Sequence, residues 1–281
     1  MTTRISGVLL GMFTGIVFCM PSYADNTGKV HNFIIAPEIS DYEYKEPGVM
    51  KVSGTMYGFT FQYLNNGGVG RIKESMPVQL RARFNYMYND DLDYDGGFFD
   101  PITGTEGPFK RGGVTQQFVD MAFAGGFESK LGQNFSVSPY AGLGYRYLKD
   151  DNDGVVTIDY GGVTYDIHDY KREQTYYYLP IGADWKMPLS SGWKFAANTE
   201  LDILLRGENT SHVNGKLKFR QKSGHGLRFS VKFEKDFMTV GSVFAEPFFR
   251  YWNISRSNTQ SGYYEPKNRT EEFGLRVGFS F

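Results

Sequence analysis

The chain has one cysteine, four histidines and no apolar stretch of membrane-helix length. The shortage of cysteine excludes a disulfide scaffold and a thiolate metal centre. Thirty basic and 31 acidic residues leave a formal net charge of −1, which gives no electrostatic footprint for nucleic acid. A helical span needs about 20 apolar residues, and the apolar run from Gly7 to Phe18 is only 12 long. The mean hydropathy of −0.40 does not exclude a membrane β-barrel. In such a barrel apolar and polar residues alternate, so the average stays hydrophilic. What the chain has in abundance is glycine, with 34, and aromatic residues, with 24 Phe and 20 Tyr. That pairing points to many turns and many β positions.

The N-terminus reads as an address. Arg4 supplies a positive n-region, Gly7 to Phe18 an apolar h-region, and Ser22-Tyr23-Ala24 a small-x-small cleavage site. Together they predict a secretory signal peptide over residues 1–24, cut after Ala24. Phe18 before Cys19 is too bulky for a lipoprotein signal. Residues 25–281 are then one domain without a thiol, exported to an oxidising compartment.

The C-terminus shows the clearest pattern. Phe273, Leu275, Val277, Phe279 and Phe281 are apolar, and Glu272, Gly274, Arg276, Gly278 and Ser280 interleave them. A period of two is a strand with one apolar face. Combined with a signal peptide and a cysteine-free domain, this strand resembles the C-terminal strand of bacterial outer-membrane β-barrels. The resemblance implies recognition by the barrel-assembly machinery through the strand that ends at Phe281. It implies lipid and lipopolysaccharide as surroundings and the cell outer membrane as location. The same alternation predicts strands at about 32–45, 55–64, 77–88, 114–128, 135–148, 174–186, 193–206, 226–234, 242–253 and 270–281. The fold class is therefore all-β: a closed antiparallel transmembrane barrel of ten strands, with eight or twelve as alternatives. Connections alternate between long and short, the pattern of long extracellular loops and short periplasmic turns. Tyr86, Tyr88, Tyr145, Tyr147, Tyr177 and Tyr251 fall near loop-side strand ends. Phe127, Phe135, Trp185, Trp193, Phe233 and Phe281 fall near turn-side ends, so the aromatics form two girdles.

The alternation also assigns a lumen. Arg81, Arg83, Arg146, Lys186, Lys194, Arg206, Arg228, Lys232, Arg250 and Arg276 point inward, as do Glu38, Asp120, Asp184, Glu200, Asp202, Glu234, Glu246 and Glu272. Unpaired buried charge is costly, so these are expected to interlock as ion pairs. Tyr140, Tyr176, Tyr178, Phe248 and Trp252 add bulk inside. Ten strands lie nearer the side-chain-filled limit than the open pores of about 16 strands. The expectation is a non-enzymatic surface or structural barrel with adhesion or lipid contact through its loops. A small channel for ions or solutes is the alternative.

Three loop features carry chemistry. Asp91, Asp93 and Asp95 precede Gly96 in the spacing of half a calcium loop, but position 12 of that loop is Ile102 instead of the bidentate Glu. Asp91-x-Asp93 and Asp166-x-His168 are similar to the Asp-x-Asp and Asp-x-His pairs of omptins, ten-stranded outer-membrane proteases of comparable length. That resemblance implies a general base formed across the barrel mouth by Asp91, Asp93, Asp166 and His168. The departure is that the Asp-x-His of omptins lies in the fourth long loop and here in the third. Finally, Lys216, Lys218, Arg220 and Lys222 alternate, so a strand would place all four on one face toward lipopolysaccharide phosphates. Val155–Tyr160 and Val163–Ile167 flank Gly161-Gly162 and predict a projecting hairpin.

Overall fold

A computed structural model describes residues 31–73, 76–100, 103–132, 134–152, 154–212, 215–237 and 241–281. The signal peptide assigned to residues 1–24 lies outside them. Ten long strands form the wall: β1 (His31–Glu46), β2 (Met50–Lys73), β3 (Met76–Phe99), β4 (Glu106–Phe127), β6 (Ser136–Asp150), β9 (Arg172–Pro188), β10 (Trp193–Ser211), β12 (Gly224–Phe237), β13 (Gly241–Ile254) and β14 (Asn268–Ser280). Four short strands are appended: β5 (Ser129–Lys130), β7 (Val155–Tyr160), β8 (Val163–His168) and β11 (Leu217–Gln221).

Each wall strand pairs antiparallel with its neighbours, and β14 pairs with β1 to close the barrel. The seam is sealed to its last residue, because Phe33 and Phe281 exchange two backbone hydrogen bonds of 2.8 and 2.9 Å. Closure leaves no unpaired wall edge, the condition for strands to stand in lipid.

The burial pattern is that of a membrane barrel rather than a soluble one. Outward positions expose Ile35 and Ile39 on β1, Phe123 on β4, Leu143 on β6, and Leu227 and Phe229 on β12. On β14 the exposed set is Phe273, Leu275, Val277 and Phe279, while Glu272, Arg276 and Ser280 between them are buried. This apolar exterior is what hydrocarbon solvates.

The wall is taller on the loop side than alternation alone indicates. A membrane-spanning strand needs about 9–11 residues, yet β2 and β3 have 24 each and β4 has 22. The stretch between the third and fourth predicted strands, expected as an open loop, is instead a ladder carried on to Phe99 and Glu106. Aromatic residues on facing strands hold it, with Tyr94 and Phe109 rings 5.8 Å apart. The hairpin β7–β8 forms as expected, and Gly161 and Gly162 take φ of 61° and 81°. Two consecutive positive-φ residues are what a type I′ turn demands.

One inward assignment is corrected. Arg206 is solvent-exposed, with 65% of its side chain accessible. The β9–β10 register shifts between Leu204 and Arg206, so the phase slips by one residue. Leu204 turns inward and Arg206 outward.

Gly144 on β6 shows how tightly the interior is packed. A Cβ there would run into the Tyr178 ring, which lies flat over the glycine. Gly144→Ala is expected to lower barrel stability by about 1–3 kcal/mol through overpacking. Gly125→Ala, where a Cβ would meet only Leu80 at 3.8 Å, should leave stability unchanged. Urea unfolding midpoints in lipid vesicles, compared with wild type, measure both.

Candidate functional site

The interior is organised in layers, each traceable to inward residues of particular strands. At mid-height five arginines and six carboxylates interlock. Arg228 of β12 binds Asp120 of β4 at 2.5 Å, and Asp202 and Glu200 of β10 at 2.8 and 3.1 Å. Arg83 of β3 reaches Glu200 at 2.8 Å, and Arg250 of β13 reaches Glu38 of β1 at 2.6 Å. Arg276 adds Glu38 at 3.1 Å and Glu246 at 3.6 Å, while Arg146 and Glu272 stand 3.9 Å apart. Neutral donors complete the carboxylates: Tyr140 donates to Glu200 at 2.6 Å, Tyr178 to Asp120 at 3.0 Å and Asn85 to Glu38 at 2.9 Å. Such a belt offsets its desolvation only when each charge has close partners, which the geometry supplies for Arg83, Arg228 and Glu38, whereas the buried Arg146 guanidinium and Glu272 carboxylate form no hydrogen bond among the described residues.

Above the belt, toward the loops, lies an apolar and aromatic layer. Tyr42, Met56, Met87, Phe118, Leu148, Tyr176, Tyr178, Leu204 and Trp252 are buried against one another. The Trp252 ring stands edge-on to Tyr178 at 5.1 Å and stacks with Tyr176 at 6.4 Å. Below the belt, on the turn side, the lumen opens into a cavity of about 440 Å³.

At the mouth, above the aromatic layer, Arg172 at the start of β9 gathers three carboxylates. It pairs with Glu46 at the end of β1, with Asp150 at the end of β6 at 2.7 Å, and with Glu265 of the β13–β14 connection at 3.1 Å. Tyr44 donates to Glu46 at 2.9 Å and accepts from Gln174 at 2.9 Å. The connection is tied down locally, since Glu265 N–H donates to Ser257 Oγ at 2.8 Å. One guanidinium cannot neutralise three buried carboxylates. Burial pushes the Glu265 carboxyl up to about 7, and Glu46 and Asp150 add to the rise while Arg172 opposes it.

The residues singled out in the loops are placed as follows. Asp91 and Asp93 lie exposed on β3, flanking buried Leu92. Asp95 is drawn aside by Lys110 at 2.7 Å, which holds its carboxyl below the usual range. In an extended strand, i and i+2 carboxylates stand about 7 Å apart, whereas calcium ligands converge within about 2.6 Å of the ion. Among the described residues no group of three potential metal ligands is brought together. Asp166 accepts a hydrogen bond from Thr157 at 2.7 Å on the hairpin, and His168 is exposed two residues on. Tyr160 and Tyr165, on the opposite hairpin face, pack on Phe98 of β3 at 5.3 and 5.6 Å. Asp166 and His168 therefore face away from β3, and no contact joins them to Asp91 or Asp93 among the described residues.

Two groupings were not legible in the sequence. Arg172 and its partners come from three strands and a loop. On the outer rim His212 pairs with Glu173 at 3.0 Å, and Glu173 accepts from Tyr147 at 2.8 Å. The basic stretch does alternate as expected: Lys218 and Arg220 on β11 are exposed, and Phe219 and Gln221 are buried. The bulge adds Arg206 to that outer face, and Glu208 bridges it to Lys218 at 3.8 and 2.9 Å.

No family model and no curated protein matches this sequence. Among solved structures, the outer membrane protease OmpT from Escherichia coli aligns with a TM-score of 0.58 at 10% identity, covering 91% of this chain and 97% of that one. The translocator domain of the autotransporter NalP from Neisseria meningitidis aligns at a TM-score of 0.43 and 11% identity, covering 92% and 90%. At such identity the likeness to OmpT is one of fold, that of an outer-membrane β-barrel.

The raised Glu265 makes the mouth sensitive to pH. A carboxyl whose folded value is about 7, against an ordinary 4.5, favours the closed loop when protonated. The advantage is present at acid pH and is lost as pH rises through 7. Limited chymotrypsin cleavage at Tyr263 and Tyr264 should accelerate between pH 6 and about 8 by several-fold beyond the protease's own pH profile. Glu265→Gln, neutral throughout, should flatten that dependence. Equal pH profiles for both proteins would contradict the assignment.

Proposed function

We propose that this chain is a non-enzymatic outer-membrane surface protein, exported by a signal peptide cut after Ala24. On this reading its filled lumen gives it rigidity, and its loop-side hairpins and outer rim make its contacts. The carrying observation is the mid-height belt: Arg228 and Arg83 each cross the lumen to a carboxylate on a distant part of the wall, and Arg250 reaches over β14 to Glu38. A barrel whose section is occupied by paired charges, with an aromatic layer above them, has its interior committed to stability. What is left for outside partners is the exterior.

Two exterior features support contact. The tyrosine-bearing hairpin β7–β8 is braced on β3, so it presents a rigid surface at low entropic cost. The rim formed by Arg206, Lys218 and Arg220 sets three cations against Glu208 just beyond the apolar Leu201, Ile203 and Leu205. That is the height at which lipopolysaccharide phosphates lie in an outer leaflet, and guanidinium groups bind phosphate strongly. The C-terminal strand through Phe281 is the segment offered to the assembly machinery.

In planar bilayers the purified protein is expected to give no steps of porin size, and regular large steps would sink the filled-lumen reading. Separately, the triple variant Arg206→Ala, Lys218→Ala, Arg220→Ala is expected to retain several-fold less lipopolysaccharide through detergent purification than wild type. Mass spectrometry of bound lipid A reads the difference.

A further inference from the structure

The turn-side cavity is a built space with one cation on its wall that lacks a close partner. It holds about 440 Å³, within the size range of small-molecule pockets. Its floor is the belt, with Tyr140, Asn198, Glu200 and Phe248 among the floor residues. Eight of its lining side chains are cations and five are carboxylates. That excess is one of lining and not of net charge. Arg228 and Arg250 face the cavity, whereas Asp120, Asp202, Glu38 and Glu272, which neutralise them, sit outside its lining.

Lys186 stands apart from the other cations of this wall. Arg81 is paired with Asp184, Lys232 with Glu234 at 2.7 Å, Lys194 with Asp236 at 2.5 Å and Arg276 with Glu38 at 3.1 Å. Lys186 has no carboxylate within 4.0 Å among the described residues. Asp184, Glu128, Lys232 and Arg81 are the charges around it. Asp184 is already committed to Arg81 and to the Asn198 amide at 2.7 Å. Glu128, on the same cavity wall, does not come within 4.0 Å of it, so this part-buried ammonium lacks a close counter-ion, and an anion brought to it supplies one.

We propose that the cavity is a binding site for a small organic anion, bearing a carboxylate or phosphate group, that enters from the turn side. Lys186 meets the anionic oxygens, and Lys232 and Arg81, each already paired with a carboxylate, stand beside it. The belt closes the far end, so the site is a blind pocket that retains a ligand without passing it on. Its position on the turn side makes the ligand periplasmic and separates this site from every contact assigned to the loops and rim.

Isothermal titration of the full-length mature chain in a non-ionic detergent, with citrate and with glycerol 3-phosphate as probes, tests this. Saturable binding of at least one probe is expected. Lys186→Met should weaken it at least tenfold, Lys186→Arg should retain it, and Lys110→Met on the loop side should match wild type. Circular dichroism and the heat-modifiable band on gels establish that each variant is folded. Bound probe should also raise the unfolding midpoint of wild type and not of Lys186→Met. Two results would overturn the proposal: no saturable heat from either probe at millimolar concentration, or wild-type affinity in folded Lys186→Met. Preference between the two probes tells carboxylate from phosphate.

Discussion

Everything inside this barrel depends on keeping guanidinium and carboxylate groups paired in a space that water reaches poorly. Lipid on the outside claims the apolar residues, so the inside inherits the charged ones. Two of the ties that result cross the barrel, Arg83 of β3 to Glu200 of β10 and Arg228 of β12 to Asp120 of β4, and a third, Arg250 of β13 to Glu38 of β1, spans β14. Each tie is satisfied only in one register. A slip of one residue in any strand would carry its charges into hydrocarbon and leave partners unpaired. The belt is thus a register device as well as a filling, and its several-fold redundancy spreads that role over most of the wall.

The other layers follow from the belt. The aromatic layer sits directly above it, and the two share atoms: Tyr178 donates to Asp120, and Arg146 stands 4.8 Å over the Phe118 ring. Above that layer Arg172 holds three carboxylates in a site that is itself buried, and burial raises one of them, Glu265. Below the belt the side chains are shorter or bend aside, with Ala122, Ala124 and Ala196 on the inner face, and the cavity opens.

Alternation made most of the wall legible, because lipid enforces a period of two more strictly than a soluble core does. The ten strands and nearly all inward charges were readable for that reason, as were Tyr140, Tyr176, Tyr178, Phe248 and Trp252, which are all buried. Three things were not. The rule gives apolar residues to lipid, so inward Met56 and Phe118 had no signal, whereas Met87 shares the alternation of Arg83 and Asn85 and reads as inward. A bulge carries no mark of its own, so the phase slip that turns Arg206 outward could not be placed. Contacts across the mouth join positions 126 and 93 residues apart, as in Arg172 with Glu46 and Glu265, and no local pattern encodes them. The same blindness applies to Asp91, Asp93, Asp166 and His168: their spacing says which share a strand face, and only the tertiary packing says that the two faces diverge.

The interior charge differs between the two ends. At the mouth one arginine faces three carboxylates. On the turn side Arg228 and Arg250 line the cavity, but Asp120, Asp202, Glu38 and Glu272 just outside its lining neutralise them. Between the two ends lie the paired belt and an apolar layer of low dielectric. The carboxylate excess therefore stays local to the mouth, where it adds to the rise of Glu265, and it is not balanced by charge elsewhere in the lumen.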